Sequence, residues 1–534
     1  MMIENCFNLV DEPWIPIAGK ERASLRQIFE ESSYSELGGN PIQKIALTKL
    51  LLAIAQTAYT PEDNYDWKDL GAKGMAKKCL DYLEDKHDLF YLYGEKPFLQ
   101  MSSVVDLIET RTNKRKAKAK GNAALLKAEK SGEPKSFGAG FYPDLPSENN
   151  TVLSHTLLEK ELDDAAKTVF IVSVMNFAFG GKRSEGDLVN LSGQVYGGLY
   201  SAKSSPSLGN YIGYLHSYLV GENLLTSLWF NLLTHEQINE NRYWEAGLGV
   251  PPWESMPAFE NCRIAENLKS SYMGCLVAMS RFVLLQENGL YYLDGIQYPS
   301  HKDGWREPSI GLKGSGKDLK VLWLNPDKRP WRELTSLLSF IDSEAQNGFD
   351  CQQINGGLRR AKKTNQKVGI WSGGLKVRAN SGDQSVKQGD DFIESCVYLP
   401  SNQEQEESKW FENLSSEMKI LDAMSSQVYK ATLNYFKAQK VDGKNQASIA
   451  SHLFWQLCEQ QSQKLINDCD NQAQRETLRK TFARLANKAY NAQCPKTTAR
   501  QLTAWVENSP RLGKYFKNLE QEQKEEHENT ITNP

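Results

Sequence analysis

The chain has 534 residues, of which 40% are hydrophobic, and its formal charge is −3. This length favours two or three domains, and the abundance of aromatic residues excludes extended disorder. A near-neutral charge argues against a free-standing nucleic-acid-binding protein, because contacts to phosphates normally require a basic surface. Any contact with nucleic acid must therefore come from local patches.

The composition gives little support for membrane, metal or disulfide chemistry. No apolar run reaches the roughly 20 residues that span a bilayer, and the N-terminus lacks the pattern of a secretory leader. The nine cysteines are scattered without a Cys-x-x-Cys pair, and the seven histidines do not cluster. We therefore expect a cytoplasmic protein with no membrane association, no metal, no cofactor and no disulfide framework.

The N-terminal run Phe7-Asn8-Leu9-Val10-Asp11-Glu12-Pro13-Trp14-Ile15-Pro16-Ile17 places a tryptophan between two prolines. Each proline favours extended backbone and removes a hydrogen-bond donor, so the run predicts an edge strand whose Trp14 packs into a core. Further along, residues 42–58 carry apolar side chains almost all round a helix. This pattern predicts a deeply buried helix.

The composition changes abruptly between residues 111 and 135. Like-charge repulsion and the lack of apolar anchors predict a solvated basic insertion that is partly helical. Two interpretations stay open, an ordinary surface loop and a basic arm that contacts a nucleic-acid backbone. The basic residues of this arm are Lys114, Arg115, Lys116, Lys118 and Lys120.

Two loop regions flank the next helix. Residues 137–150 combine glycines with turn formers and predict a long exposed loop, and helical periodicity follows from Leu158 to Phe179. A second Gly-rich stretch, 194–206, precedes a helix near residues 221–233. Its paired glycines indicate a turn with unusual backbone freedom.

The middle of the chain, about 285–400, has short strand-like runs such as 290–293 and 321–324. Residues 311–317 match the start of a phosphate-binding P-loop, but Asp318 stands where Ser or Thr should hold magnesium. A strand also follows where a helix N-terminus is required, so a hairpin turn explains the segment better. The pair His87-Asp88 lacks the further ligands of a metal-dependent phosphohydrolase, and we interpret the chain as not an enzyme.

From Lys409 onward the apolar period becomes that of helices. The first stripe is Trp410, Phe411, Leu414, Met418, Leu421, Met424, Val428 and Leu433. Three further helices are indicated by Ile449, Leu453 and Leu457, by Leu478, Phe482 and Leu485, and by Leu502, Trp505 and Val506. Short polar links between them predict a four-helix bundle.

Three further motifs follow the N-terminal run in order: Lys96-Pro97-Phe98-Leu99-Gln100, Gly221-Glu222-Asn223-Leu224 and Pro252-Trp253-Glu254. Each is weak alone, but together they closely resemble the CasA family, the large subunits of type I-E CRISPR Cascade complexes. Beyond about residue 400 the resemblance rests on helical character and length. It implies a subunit that recognises the PAM, a short motif beside the target in double-stranded DNA, through the minor groove and starts duplex opening for guide-RNA pairing, a division of labour similar to that of other RNA-guided effectors.

The resemblance assigns DNA contacts to two loops. The family's glycine loop is matched by Tyr196, Gly197, Gly198, Leu199 and Tyr200, with Lys203 close enough to neutralise a phosphate. The family's wedge, a glutamine that inserts beside the PAM, should lie on a Gly-rich basic loop at residues 373–385. Its candidates are Gln384, with Asn380 as a rival, supported by Lys376 and Arg378.

Two further family elements are a lysine finger and a subunit-docking loop. A lysine finger that enters the groove has no lysine where we expect it, near residues 286–290, and only Lys302 and Arg306 lie nearby. The loop that in the family docks on a neighbouring subunit and on the 5′ handle of the guide RNA is matched by Asn150, Thr151, Val152, Leu153 and Ser154. Its two apolar residues suit burial at a partner surface or in the chain's own core.

We therefore expect an α+β protein in which residues 1–402 form a large mixed α/β N-terminal domain. Residues 403–520 then form a C-terminal four-helix bundle, and 521–534 form a polar tail. The implied partners are the other Cascade subunits, the guide RNA, double-stranded target DNA and the helicase-nuclease recruited after opening. The alternatives are a metal-dependent enzyme of DNA metabolism and a scaffold without DNA contact.

Overall fold

A computed structural model describes most of the chain. It covers residues 5–130, 132–137, 161–178, 213–287, 289–299, 301, 305–325, 327–341, 348–376, 378–380, 383–385, 392–400 and 404–515. For 378–380, 383–385 and 404–407 it describes the backbone alone. The expected exposed loop beyond Phe137 and the polar tail 521–534 lie outside these ranges.

Among the described residues, helices and strands are mixed along the first three quarters of the chain, and helices without strands follow. The helices are α1 (Leu25–Glu30), α2 (Pro41–Ala58), α3 (Asn64–Asp85), α4 (Val104–Lys118), α5 (Asn122–Lys130), α6 (Asp164–Asn176), α7 (Leu224–Asn231), α8 (His235–Asn239), α9 (Arg263–Lys269), α10 (Tyr272–Leu276), α11 (Leu334–Leu337), α12 (Gln352–Lys362), α13 (Glu404–Ala438), α14 (Lys444–Glu459), α15 (Ser462–Asp468), α16 (Gln472–Gln493) and α17 (Ala499–Glu507). The strands are β1 (Cys6–Asn8), β2 (Ile15–Ile17), β3 (Lys20–Ala23), β4 (Tyr91–Tyr93), β5 (His216–Val220), β6 (Arg281–Gln286), β7 (Gly289–Asp294), β8 (Leu312–Lys313), β9 (Lys320–Val321), β10 (Gly369–Leu375), β11 (Arg378–Asn380), β12 (Asp383–Ser385) and β13 (Phe392–Tyr398). The α+β fold class is confirmed.

The chain forms two compact units, which differ from the expected boundary. One unit contains residues 1–330 and 349–396, and the other contains 331–348 and 397–534. The sequence did not predict that 331–348 belongs with the C-terminal helices. Within the second unit the reason is visible, because the Arg332 guanidinium lies 3.5 Å from the ring centroid of Trp455 and the Trp331 ring packs 6.0 Å from it.

Helix α2 lies at the centre of the first unit. It packs against α3, α6, α7, α10 and β10, and its apolar residues are buried on every side. Asn40 begins the helix by accepting a hydrogen bond from the Gln43 backbone N–H, and Pro41 occupies the first turn, where no donor is needed. The all-round burial expected for residues 42–58 is confirmed.

The motifs that carry the family resemblance are structural. Trp14 is fully buried beside the β2–β3 hairpin, and its indole N–H donates to the Leu9 carbonyl over 3.0 Å. The expected packing of Trp14 into the core is confirmed. The Phe98 ring stacks on Trp253, with centroids 5.8 Å apart, and Gln100 accepts from the Leu285 N–H over 2.8 Å. These residues therefore tie distant segments together.

The helix start expected at residues 221–224 is also present. Asn223 caps α7 by accepting a 2.9 Å hydrogen bond from the Thr226 N–H. Gly221 packs so tightly against Thr226 that an added Cβ would lie 2.4 Å from its methyl carbon. The helix is shorter than expected, because α7 ends at Asn231 and α8 begins at His235.

The basic insertion contains helices, as the sequence predicted in part, but it is anchored to the rest of the first unit. It lies in α4 and α5, which pack against each other, and α4 also packs against β6 and β7. Val104, Ile108 and Arg111 form a buried stripe on α4. The expected lack of apolar anchors was wrong because the apolar residues of this stripe precede the basic run, at helical spacing.

In the second unit the expected helices are present, together with the short α15. The α13 stripe from Trp410 to Val428 is buried, as expected, and α13 packs against α14, α16 and α17. The expected stripe on α14 is wrong, since Ile449 is 44% exposed while Phe454 and Cys458 are buried. Leu502 and Val506 on α17 are likewise exposed. Within the described ranges, no helix combines the length and apolar character needed to cross a bilayer.

Candidate nucleic-acid interface

The three-stranded sheet of the first unit positions the candidate interface. Its strand order is β13-β10-β5, and β10 runs antiparallel to β5 with Gly369 opposite Val220 and Gly373 opposite His216. The start of β5 therefore lies beside the end of β10. Two distant parts of the chain thus meet at one end of this sheet.

A hairpin joins the same end of the sheet from the other side of β5. Strands β8 and β9 pair with Leu312 opposite Val321, and the Leu215 N–H donates to the Leu322 carbonyl over 2.9 Å. The Ser217 N–H donates to the Ser309 carbonyl over 2.8 Å. We call residues 312–321 the lysine hairpin because it carries Lys313, Lys317 and Lys320.

A buried polar network supports this end of the sheet. The Lys49 ammonium on α2 lies 2.7 Å from Glu307 Oε2, and both side chains are almost completely buried. Ser309 Oγ donates to Glu307 over 3.0 Å and lies 2.8 Å from His216 Nδ1. Burial raises the pKa of Tyr218, and the nearby negative charge of Glu307 raises it further. The network therefore joins α2, the segment before the lysine hairpin, and β5 through buried side chains.

The end of β10 is held equally firmly. The Trp371 indole N–H donates to Glu394 Oε2 over 2.8 Å, and the Lys44 ammonium lies 2.9 Å from the same oxygen. A Cβ at Gly373 would lie 2.8 Å from the Trp371 ring, so close packing requires glycine there. Gly373 and its neighbour Gly374 belong to the buried strand β10 and not to the expected Gly-rich loop.

The residues expected to form the wedge follow β10 directly. Lys376 is half-buried just beyond the strand, and β11 and β12 pair as a hairpin with Arg378 opposite Ser385. Gln384 lies opposite Ala379, and Asn380 lies opposite Asp383. The two wedge candidates therefore belong to different residue pairs of the hairpin. Which of them inserts stays an open prediction.

The expected glycine loop and the subunit-docking loop lie outside the described residues. The first comprises Tyr196 to Tyr200 with Lys203, and the second comprises Asn150 to Ser154. The chain returns to the described part at Gly213, shortly before β5. Its Gly213 carbonyl accepts from the Leu324 N–H over 3.0 Å, beyond the end of the lysine hairpin.

The expected basic arm is exposed but helical. Lys114, Lys116 and Lys118 are exposed on α4, Lys120 is exposed just beyond it, and Arg115 is half-buried. The Lys116 ammonium lies 3.4 Å from Glu129 on α5. The arm thus presents several cations on a folded helical hairpin.

A family model described as CRISPR-associated protein Cse1 matches residues 8–492. The chain belongs to the Cse1 family of CRISPR-associated proteins. Because CasA and Cse1 name the same family in a matching relative, the resemblance seen in the sequence is confirmed. That relative, the CasA/Cse1 protein of Thermus thermophilus, is 26% identical over 363 residues. The alignment covers 62% of this chain and 60% of the relative, which is less than two thirds of its length.

Solved structures show that this Cse1-family chain has the family's fold. Thermobifida fusca Cse1 superimposes with a TM-score of 0.70 at 18% identity, covering 97% of this chain and 98% of that one. A chain of a structure titled CRISPR RNA-guided surveillance complex superimposes with a TM-score of 0.66 at 14% identity, covering 95% of this chain and 99% of that one. These low identities show the fold alone.

The enzyme-like motifs of this Cse1-family chain have structural explanations. Residues 311–317 belong to the β8–β9 hairpin, as the sequence favoured. His87 Nε2 lies 2.7 Å from Asp11, and this contact together with the Arg26 guanidinium lowers the pKa of Asp11 against the opposing effect of burial. Among the described residues, no three His, Cys, Asp or Glu side chains lie close enough to hold one metal ion.

Sequence reasoning missed the lysine hairpin as a candidate DNA contact. The sequence places the third basic element near residues 286–290, where Gln286 ends β6 and Gly289 begins β7. The signal that could have identified it is the recurrence of lysines at positions 313, 317 and 320 around two glycines. The resemblance of this segment to an incomplete P-loop obscures that signal. Lys317 and Lys320 are exposed.

Proposed function

We propose that this protein is the large subunit of a type I-E Cascade and recognises the PAM of double-stranded DNA through the minor groove. Membership of the Cse1 family and the likeness to a chain of an RNA-guided surveillance complex support the subunit role. One observation carries the DNA-binding role. The start of β5, the end of β10 and the lysine hairpin meet at one end of a sheet. Along the chain, the wedge candidates follow β10 and the glycine-loop residues precede β5.

In this proposal the glycine loop approaches the groove floor. The minor groove is about 6 Å wide and offers few distinguishing groups, so a side-chain-free backbone reads it more closely than bulky residues do. Lys203, Lys376 and Arg378 neutralise phosphates, and Gln384 or Asn380 inserts beside the PAM to part the bases. The lysine hairpin supplies further cations in addition to those of the glycine loop and the wedge loop.

The remaining proposed contacts are with partners. Residues 150–154 dock on a neighbouring Cascade subunit and on the 5′ handle of the guide RNA, and the basic arm on α4 contacts a nucleic-acid backbone nearby. After duplex opening the subunit helps to recruit the helicase-nuclease. It acts by binding alone, without a catalytic centre or a cofactor of its own.

The proposal is tested by reconstituting the full chain with the other Cascade subunits and a guide RNA. Its affinity is then measured for targets flanked by randomised base pairs. We expect a preference of at least about tenfold for a few flanking sequences, since each mismatched pair typically costs about 1–3 kcal/mol. Equal affinity for every flank would contradict PAM recognition. Metal-dependent cleavage of DNA by the purified chain would favour an enzyme of DNA metabolism instead.

The wedge assignment has its own prediction. Gln384→Ala should slow strand opening by about tenfold while leaving the initial encounter with PAM duplex unchanged, because unstacking a base step costs a few kcal/mol that the inserted group offsets. Opening is followed by the fluorescence of 2-aminopurine placed beside the PAM. Asn380→Ala, on the other strand of the same hairpin, is the matched variant. If only Asn380→Ala slows opening, Asn380 is the wedge.

A further inference from the structure

A connected group of aromatic and cationic side chains lies next to the candidate interface. It consists of Trp323, Tyr214, His301, Arg306, Tyr243 and Arg242, which we call the aromatic–arginine platform. It adjoins the sheet end described above, because Trp323 follows β9 and forms a backbone bridge with Tyr214, just before β5. No part of the proposed function uses these residues as a unit.

One end of the platform is an exposed tryptophan held in a fixed orientation. Trp323 is 54% exposed, although tryptophan is usually well buried. The Tyr214 ring packs edge-on against it with centroids 4.4 Å apart. Gly213 lies beneath the indole, where an added Cβ would be only 3.0 Å from the ring. The exposed indole is therefore preorganised by its neighbours.

The contacts continue from Tyr214 to the cations. Tyr214 Oη lies 2.9 Å from His301 Nδ1, and the His301 carbonyl accepts a hydrogen bond from Arg306. The Arg306 guanidinium lies 4.1 Å from the Tyr243 ring centroid and donates to its hydroxyl over 2.9 Å. An unbroken series of contacts thus joins the indole to the guanidinium.

The other end of the platform holds two guanidinium groups on one phenol. Arg242 lies 4.8 Å from the Tyr243 ring centroid and donates to the same hydroxyl over 2.5 Å. Within the described part of the chain, neither Arg242 nor Arg306 has a carboxylate partner. Burial by itself would raise the pKa of Tyr243, but the two guanidinium groups outweigh it and lower that pKa. Among the described residues, the positive charge at this end is therefore not neutralised by a carboxylate.

We propose that the aromatic–arginine platform binds unpaired nucleotides of the target DNA beside the opened PAM duplex. A rigid exposed indole stacks on a base of any sequence, and guanidinium groups bind the phosphodiester backbone. The combination of the two fits a single strand, because bases in a duplex offer no free ring face for stacking. This inference rests on the proposed function, and it adds a site for the separated strand to the sites that read the duplex.

The test uses the reconstituted complex and two DNA ligands with the same PAM, a full duplex and a fork whose bases beside the PAM are unpaired. We expect Trp323→Ala to weaken binding to the fork by about tenfold and to leave duplex encounter unchanged. Trp323→Phe should restore most of the fork affinity, since it keeps a stacking ring. Tyr65→Ala is the control, because Tyr65 is an aromatic residue on α3 that is 86% exposed and is not one of the platform residues.

The cations are tested by the salt dependence of fork binding. Changing both Arg242 and Arg306 to Gln should reduce the slope of log affinity against log salt by up to about 1.4, about 0.7 for each lost phosphate contact on a single strand. Arg359→Gln, at an exposed arginine on α12, should leave the slope unchanged. Fork affinity of Trp323→Ala equal to that of the unmodified complex would overturn the proposal, as would an equal loss on fork and duplex.

Two outcomes separate this proposal from the proposed function. A complex that prefers certain flanking sequences but binds the fork equally well with and without Trp323 would contradict the platform alone. A complex without flank preference would contradict PAM recognition, whatever the effect of Trp323→Ala. Single-stranded RNA of the same sequence is the last ligand, and a Trp323-dependent preference for RNA over the DNA fork would overturn the assignment to target DNA.

Discussion

Gly198→Asp is expected to weaken binding of the assembled complex to PAM-bearing duplex by more than about 100-fold, with a much smaller effect on pre-opened DNA. An added carboxylate would face the phosphates that line the narrow minor groove, and like charges brought together at an interface cost several kcal/mol. Gly197→Trp should act in the same direction by its bulk. Equilibrium binding to matched duplex and pre-opened targets measures the difference.

The control for this prediction is a glycine-to-aspartate change elsewhere. Gly513 is exposed in the second unit, and an added Cβ there would meet no neighbouring atom within 4 Å. Gly513→Asp should therefore leave both affinities unchanged. Equal losses on duplex and pre-opened DNA for Gly198→Asp would contradict groove access as the first event. Unchanged target binding by that variant would favour a scaffold without DNA contact.

Lys49→Met is expected to lower the free energy of unfolding of the first unit by about 3–5 kcal/mol, because it leaves the buried Glu307 carboxylate without its cation. The variant should also loosen the sheet end, since Glu307 is linked through Ser309 to His216 at the start of β5. Hydrogen–deuterium exchange of α2 peptides under increasing urea follows this unit specifically.

Two further variants make this stability prediction sharper. Lys269→Met removes the helical pair between half-buried Lys269 and exposed Glu266 and should cost less than about 0.5 kcal/mol. The double variant Lys49→Met/Glu307→Leu should be more stable than Lys49→Met, because no unpaired charge remains buried. A Lys49→Met protein as stable as Lys269→Met would show that the buried pair does not hold the first unit together.

Several features were predictable because they depend on local spacing. The apolar residues of 42–58 cover every side of a helix, so burial follows whatever the neighbours are. Pro13 and Pro16 favour extended backbone at the residues before them, Glu12 and Ile15, on either side of Trp14. Asn223 before an apolar run is a favourable helix cap. The four motifs are recognisable because each is a short run of residues, although contacts such as that of Phe98 with Trp253 join distant segments.

Other predictions failed because periodicity does not specify which neighbour a helix meets. On α14 the larger aliphatic residues suggested a stripe through Ile449, but Phe454 and Cys458 face the neighbouring helices instead. On α4 the basic residues hid the stripe that buries Arg111. In both cases a second element decided the orientation of the first.

The family, the helical segments, the buried helix α2 and the role of Trp14 in the N-terminal run were all predictable from the amino-acid sequence alone. The tertiary structure was needed to show that the lysine hairpin lies beside β5, that Lys49 pairs with Glu307 across 258 positions, and that Tyr214 connects Trp323 through His301 to Arg306. The two groups of features differ in how far apart the interacting residues lie along the chain. Dihedral preferences and apolar periods act within a few residues, whereas strand pairing and buried charge pairs join residues whose separation along the chain carries no local signal.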